Sequence, residues 1–225
     1  MVGFRLYLAR RAKRDGDAQA LASLVVAVGA VFGALLGAKL VFWFQEPYRV
    51  ALLLPNPRAL IGGKTIVGGL IGGRIGVEIA KKIIGMTEST GDSFVTPVAV
   101  GLIIGRLGCF FSGLHDGTHG IPTMLPWGVD YGDGLDRHPT QLYEIVWVAV
   151  LWRLIRGCEA RFHRAGDQFR ALLAGYLFFR LGVEWLKPEA PLHLGLLTGI
   201  QWVCLVTLLI DAPHLWRVTR GLFRA

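Results

Sequence analysis

The chain has 225 residues, of which 53% are hydrophobic and only 18% are charged, and its mean hydropathy is +0.49. Soluble domains usually carry about 25% charged residues, so this composition excludes an ordinary soluble protein and indicates a polytopic membrane protein. The net charge of +8 invites a nucleic-acid-binding interpretation, but the positions of the charges, given below, argue against it. The three cysteines lie in different segments and predict no disulfide framework.

Six segments are long and apolar enough to predict membrane-spanning helices, and together they predict an all-α bundle. In chain order they lie near residues 20–44, 65–84, 93–112, 140–155, 169–186 and 194–211. We predict that residues 1–19 are a basic cytoplasmic segment and that 212–225 are a basic cytoplasmic tail. Residues 20–211 then form one transmembrane domain. Its longest connection, about 113–139, is rich in glycine, proline, aspartate and histidine and predicts an extracytoplasmic loop or arm.

The basic residues are distributed unevenly about these spans. If the N-terminus is cytoplasmic, that side holds 15 of the 24 lysines and arginines and the other side holds five. This asymmetry follows the positive-inside rule and explains the basic charge as topology, not as a nucleic-acid footprint. The remaining four lie within predicted spans: Lys39, Arg74, Arg106 and Arg180.

Charged residues inside a membrane span are candidates for function unless they pair with one another. Arg180 and Glu184 lie four residues apart and can pair on one helix, and Arg74 and Glu78 have the same spacing. For these pairs a structural and a functional role remain equally open.

Arg106 has no local acidic partner. Its neighbours four residues away, Leu102 and Phe110, are apolar, so its partner must come from another helix or from a ligand. Glu144 is a candidate, and Gln141 lies on the same face of that helix.

Arginine presents a planar set of donors that suits phosphate, so Arg106 and Arg180 together predict a site for an anionic phospholipid head group. Glycines at 101, 105, 108 and 113 would let backbone or lipid come close. Tight helix packing through small residues is an alternative explanation of the glycines, although it does not explain the arginines.

Other polar residues give weaker signals. Cys109 is a possible nucleophile, but a cysteine in an apolar helix is more often a packing residue. His115, Asp116 and His119 make a weak pattern for a metal, and we predict neither a metal nor a cofactor. His138 precedes a proline that suits the first turn of a helix, and it is either a proton carrier or a boundary residue.

Three stretches, taken together, resemble the prolipoprotein diacylglyceryl transferase family. They are GRLGCFFSG, then LPWGVDYGDGLDRHPTQLYE, then FFRLGVEWLK, in the order and approximate spacing of the family's motifs. GKTIVGGLIGG and LGAKLVFWF are similar to earlier family segments, so the resemblance covers most of residues 20–211. The family's first helix has no counterpart, and YLARRAKRDGD resembles the loop that follows it. Three explanations of the missing helix stay open: a misassigned start, a trimmed chain or a six-span variant.

The resemblance implies a seven-helix fold in the bacterial inner membrane and a multi-pass enzyme, here with a cytoplasmic C-terminus. That enzyme moves diacylglycerol from phosphatidylglycerol to the lipobox cysteine of a prolipoprotein at the outer leaflet and releases glycerol phosphate. We expect a monomer without nucleic-acid partners. The residues that the resemblance makes catalytic are Arg106, Arg180, His138 and Glu144. Those that it makes substrate-binding are Arg137, Gln141, Tyr143, Gly105, Gly108, Gly117 and Glu184.

Three positions depart from the family's pattern. Cys109 stands where the family has asparagine, Leu114 where it has glutamate, and Val67 where a glycine-rich segment usually carries histidine. Two alternatives to the prolipoprotein enzyme therefore stay open. One is a paralogue that uses the same donor lipid with another acceptor, such as a glycan or a small thiol, and the other is a non-catalytic lipid-binding protein. A small transporter is disfavoured, because the chain shows no internal repeat.

Overall fold

The computed structural model describes residues 2–47, 62–188, 192–193 and 195–223. This part of the chain contains six α-helices and two short antiparallel hairpins. The helices are α1 Val2–Gln45, α2 Ile66–Ile83, α3 Val95–Ser112, α4 Thr140–Gly157, α5 Asp167–Val183 and α6 Gly199–Phe223. The hairpins pair β1 Val129–Asp130 with β2 Asp136–Arg137, and β3 Leu192–His193 with β4 Leu197–Thr198. The prediction of an all-α fold with about six helices is confirmed.

Not all six helices are apolar enough to be recognised as membrane spans. Among the described residues, length and composition identify Gln19–Gln45, Gly91–Asp116 and Gly199–Arg220. The other three predicted spans are helices as well, α2, α4 and α5, but they carry more charge or are shorter. The last turn of α2 contains Lys81 and Lys82, and α5 is only 17 residues long.

Two helices extend beyond the predicted spans. Residues 2–19, predicted as a flanking segment that resembles a loop, continue as helix α1, although the candidate membrane span starts at Gln19, close to the predicted start at 20. Arginine and alanine, both strong helix formers, are the most frequent residues of this segment. The last span was predicted to start near 194 and stop at 211. The β3–β4 hairpin precedes α6, and the predicted tail 212–225 continues that helix through Pro213 as far as Phe223.

The chain divides into two compact units, and α1 and α2 belong to the first. Glycines on α1 meet glycines on α2 so closely that the backbones touch. A Cβ atom added at Gly33 would lie 2.3 Å from the carbonyl oxygen of Gly72, and one added at Gly37 would lie 2.3 Å from that of Gly68. The side chain of Thr65 caps the start of α2 by accepting from the Gly68 amide at 3.2 Å. Small residues at four-residue spacing therefore set this helix pair.

The second unit contains α3 to α6 and the 113–139 connection. Sequential helices pack against one another, and Trp147 of α4 stacks on Phe179 of α5 with ring centroids 5.5 Å apart. Asp92, just before α3, links the start of α3 to the start of α5. Its carboxylate accepts from the Gly166 amide at 2.7 Å and from the Gln168 amide at 3.0 Å, which caps the N-terminus of α5.

The predicted loop or arm at 113–139 is an ordered structure. A 3-10 helix, Gly113–Asp116, continues from α3, and the β1–β2 hairpin follows. The amide of Ile121 donates to the carbonyl of Leu186 at 2.8 Å, and the amide of Gly120 donates to the carbonyl of His138 at 2.9 Å. The arm is therefore fixed to the segment after α5 and to the segment that leads into α4.

Candidate active site

Two arginines and two glutamates meet in the interior of the second unit. They come from α3, α4, α5 and the 3-10 turn Glu184–Leu186 that follows α5. All four side chains are buried, with relative exposures from 1% to 5%: Arg106, Glu144, Arg180 and Glu184. We call this group the ion-pair cluster. Its formal charges balance, which is what allows four charged groups to be buried together.

Glu144 is the centre of the ion-pair cluster. One of its carboxylate oxygens accepts from Arg106 Nε at 2.7 Å and from the Tyr176 hydroxyl at 2.7 Å. Its other oxygen lies 3.7 Å from Arg180 Nη1. The structure confirms the predicted contact: Arg106 takes its partner from another helix, and that partner is the candidate Glu144. Glu144 thus holds both guanidinium groups in place.

Arg180 makes its closest ion pair with Glu184. Its Nη2 lies 2.5 Å from Glu184 Oε2, which confirms the local pair expected from their four-residue spacing. Its Nε and Nη1 atoms are buried and have no hydrogen-bond partner among the described residues. A buried N–H group without an acceptor costs about 1–3 kcal/mol, and more when the group is charged. Two donors of a buried cation are therefore available to an anionic ligand.

Gln141 adds a third such donor. It lies one turn before Glu144 on α4, and its Oε1 accepts from the Tyr131 hydroxyl at 3.0 Å. Burial raises the pKa of Tyr131, so the phenol stays protonated and donates this bond. The bond orients the amide of Gln141, whose Nε2 is buried without a hydrogen-bond partner in the described part of the chain.

For the other local pair, the structure shows Glu78 with a different partner. The ammonium of Lys81 lies 3.1 Å from Glu78 Oε1, at a spacing of three residues on α2. Residues Arg74 and Glu78 therefore do not form an exclusive pair. Both belong to the first unit, whereas the residues of the ion-pair cluster belong to the second.

His138 and Tyr143 form a second polar group with the arm. The Tyr143 hydroxyl lies 3.1 Å from His138 Nδ1 and accepts from Trp127 Nε1 at 2.8 Å. Arg137 lies beside them in sequence, but its guanidinium binds Asp133 at 2.6 Å and 3.1 Å within the β1–β2 turn. This bond lowers the pKa of Asp133. The contacts of Arg137 make it a hairpin residue, and its role with substrate stays a prediction.

The glycines of α3 do not pack against another helix. A Cβ atom added at Gly101, Gly105 or Gly108 would meet nothing within 4 Å among the described residues. Tight helix packing therefore does not explain them, and the alternative of close approach by a ligand or lipid stays open. Gly117 has φ of 62°, a left-handed conformation that favours glycine, so its turn alone accounts for it.

Cys109 lies beside the ion-pair cluster, with its Sγ 3.9 Å from Arg106 Nη1. Leu114 lies in the 3-10 helix of the arm, whereas Val67 is a buried residue of α2 in the first unit. His119 makes a local contact, since its Nδ1 lies 3.2 Å from the Gly120 carbonyl. The described residues contain no group of three potential ligands that could hold a metal.

Sequence reasoning missed two residues of this region. Tyr176 precedes Arg180 by four residues, so helical spacing placed it on the same face, but a tyrosine in an apolar run gave no other signal. Lys187 follows Glu184 by three residues. Burial, with repulsion from Arg180 and Arg106, lowers its pKa to about 7. A lysine in this environment can exchange a proton near neutral pH.

Comparison with known proteins gives a consistent result. A sequence model described as prolipoprotein diacylglyceryl transferase matches residues 1–217. A protein of Geobacter sulfurreducens is 35% identical over 195 residues, covering 83% of this chain and 70% of the relative. A Bordetella parapertussis protein is 35% identical over 198 residues (81% and 72%), and one of Coxiella burnetii is 31% identical over 228 residues (95% and 84%). All three are named phosphatidylglycerol–prolipoprotein diacylglyceryl transferase.

Proposed function

The chain belongs to the prolipoprotein diacylglyceryl transferase family, and we propose that it transfers a diacylglyceryl group from phosphatidylglycerol to the cysteine thiol of a prolipoprotein. The names of the relatives give both the donor and the acceptor. The assignment to a site depends on three buried donors that have no hydrogen-bond partner among the described residues: Arg180 Nε, Arg180 Nη1 and Gln141 Nε2. Phosphate oxygens would satisfy all three.

The reaction places the largest change of charge on the phosphate. The acceptor thiol loses its proton, its sulfur forms a bond to the glyceryl carbon, and the bond from that carbon to the phosphate oxygen breaks. The electron pair stays on the departing glycerol phosphate, which gains a negative charge. Arg106 and Arg180 are already held in place by Glu144 and Glu184, so they can stabilise that charge without reorganisation.

The acceptor must be a thiolate to attack. Glu144 is a poor proton acceptor, because both of its oxygens face arginines. We therefore propose that Glu144 positions the two cations and that His138, which contacts Tyr143 in the arm, is the group that takes up the proton. Tyr143, Gln141 and Arg137 would then line the path of substrates, with Gly105 and Gly108 on the open side of α3.

We also propose a multi-pass protein of the bacterial inner membrane that acts as a monomer with a cytoplasmic C-terminus. The charge asymmetry supports this orientation, since 15 of the 24 lysines and arginines fall on one side. The arm and the ion-pair cluster then belong to the outer half of the bundle, where a secreted acceptor arrives.

The test combines purified protein, micelles containing phosphatidylglycerol, and a lipobox peptide. Released glycerol phosphate and a diacylglyceryl mass shift on the peptide should appear together. Arg180→Ala and Arg106→Ala should each lower turnover about 100-fold or more, as removal of a donor to a developing charge does. Arg180→Lys keeps the charge but loses the planar donor set, so it should also fail.

Arg170→Lys is the matched control, because Arg170 lies on the same helix as Arg180 but pairs with Asp167 at its other end. Folded wild-type protein that binds phosphatidylglycerol yet yields neither product would contradict the proposal. Full activity in Arg180→Ala would contradict the assignment of the phosphate to the ion-pair cluster.

A further inference from the structure

A second cationic site lies at the other end of the second unit. A cavity of about 320 Å³ opens between the turn before α5 and the last turns of α6. Four arginines line it: Arg161, Arg164, Arg217 and Arg220. Arg164 precedes α5 and Arg180 lies in its last turn, and the 17 residues of α5 extend about 25 Å at 1.5 Å per residue. This cavity, which we call the basic cleft, is therefore separate from the ion-pair cluster.

Within the described part of the chain, few carboxylates face the arginines of the basic cleft. One carboxylate, Asp167, lies among the four arginines and already binds Arg170 at 3.3 Å. Among the described residues no salt bridge is formed by any of the four. Arg220 stacks on the ring of Trp216 at 4.6 Å, and Arg217 lies 2.5 Å from His214 Nδ1. These contacts orient the two guanidinium groups without supplying a carboxylate to either.

The surroundings of the basic cleft are apolar on the side that leads into the membrane. Phe162 and Val218 line the cavity itself. Along α6, within the span Gly199–Arg220, large apolar side chains are exposed: Leu209 at 64%, Ile210 at 71% and Trp216 at 61%. A cationic cavity that borders an exposed apolar helix face fits a molecule with an anionic head and hydrocarbon chains.

We propose that the basic cleft binds the phosphate head group of an anionic phospholipid from the leaflet opposite to the one that faces the ion-pair cluster. Arginines suit this ligand because their planar donor sets match phosphate oxygens. The lipid chains would lie along Leu209 and Ile210. A free phosphate ion shares the head-group chemistry but makes no use of this apolar face, so the lipid is the ligand that the whole site fits.

The test counts the lipids retained by full-length protein in detergent, by native mass spectrometry, after exposure to micelles of phosphatidylglycerol or of phosphatidylcholine. Arg164→Gln/Arg217→Gln should lose one retained phosphatidylglycerol. At about fivefold per arginine near an anionic surface, the affinity should fall about 25-fold. The control, Arg153→Gln/Arg156→Gln, removes the same charge from exposed arginines outside the cleft and should retain the lipid.

Several outcomes would overturn the proposal. Equal loss in the two double variants would show attraction to bulk surface charge only, and no loss in either would show no site. Equal retention of phosphatidylcholine would exclude selectivity for an anionic head group. Displacement by millimolar inorganic phosphate would show that the ligand is phosphate and that the apolar face adds nothing. Arg161→Gln/Arg220→Gln gives a second variant if the first is poorly folded. Transferase activity should persist in both cleft variants, so failure here is distinct from failure of the proposed function.

Discussion

The two units of the protein use glycine in opposite ways, and only the second buries a cluster of four charged groups among the described residues. In the first unit, glycines of α1 and α2 bring two backbones into contact, as at Gly33 and Gly72. In the second unit, the glycines of α3 face open space and the interior contains buried ion pairs instead. Close packing needs no polar group in the interior, whereas buried charge is costly and is retained where a charged ligand or reaction requires it.

The largest effect is expected from removing the charge at the centre of the ion-pair cluster. Glu144→Gln would leave Arg106 and Arg180 with Glu184 as their remaining buried carboxylate. Breaking a buried ion pair in this way costs about 3–5 kcal/mol, so the free energy of unfolding should fall by that amount and turnover should be lost. Denaturation in detergent, monitored by tryptophan fluorescence, gives the first quantity and the peptide assay gives the second.

Glu159→Gln is the control for that experiment. Glu159 pairs with Arg156 at 3.0 Å, but both side chains are about half exposed. An exposed pair contributes about 0–1 kcal/mol, so stability and turnover should change little. Equal effects of the two substitutions would show that the buried cluster has no special role in stability.

The sequence predicts the features that depend on neighbouring residues better than those that depend on contacts between distant segments. The helices follow from their apolar runs. The apolar neighbours of Arg106 exclude a local partner, so the sequence predicts one from another helix or a ligand, with Glu144 as a candidate. The role of the glycines could not be decided, since glycine allows close packing and open space equally well. The β1–β2 hairpin and the position of Tyr176 also depend on contacts between distant segments, such as the 32 residues that separate Tyr176 from Glu144.

The glycine contrast can be tested by one matched pair of substitutions. Gly33→Ala places a Cβ 2.3 Å from the Gly72 carbonyl oxygen, so it should lower the free energy of unfolding by about 1–3 kcal/mol. Gly105→Ala meets nothing within 4 Å and removes a helix-interior glycine, which should be neutral or stabilise by about 0.5–1 kcal/mol. Thermal unfolding of both variants in the same detergent provides the comparison. A loss in Gly105→Ala as large as in Gly33→Ala would refute the open-face interpretation.

Lys187 should make stability depend on pH. Its pKa is about 7 in the folded protein because of burial and of repulsion by Arg180 and Arg106, partly offset by attraction to Glu184 and Glu144. In the unfolded chain it is near 10.5, so between pH 7 and 10.5 the unfolded state binds the extra proton and stability rises with pH. Below pH 7 the penalty of the partly buried ammonium is fully present.

Lys187→Met should remove this contribution. The melting temperature of the variant should exceed that of the wild type by a few degrees at pH 6, and the difference should shrink as pH rises to 9. Because other groups titrate in both proteins, the difference between them isolates Lys187. A difference that stays constant with pH would show that Lys187 is charged in the folded protein throughout this range.

The smallest effect is expected at Cys109, although its thiol lies 3.9 Å from Arg106 Nη1. In the proposed reaction the attacking sulfur belongs to the acceptor and the charge develops on phosphate, so Cys109→Ala should keep most of the turnover. Stability should also change little, because Cys109 is only partly buried. The peptide assay decides between two mechanisms. A folded Cys109→Ala protein without activity would favour a covalent intermediate on this thiol, and the function of the ion-pair cluster would then be to stabilise a thiolate.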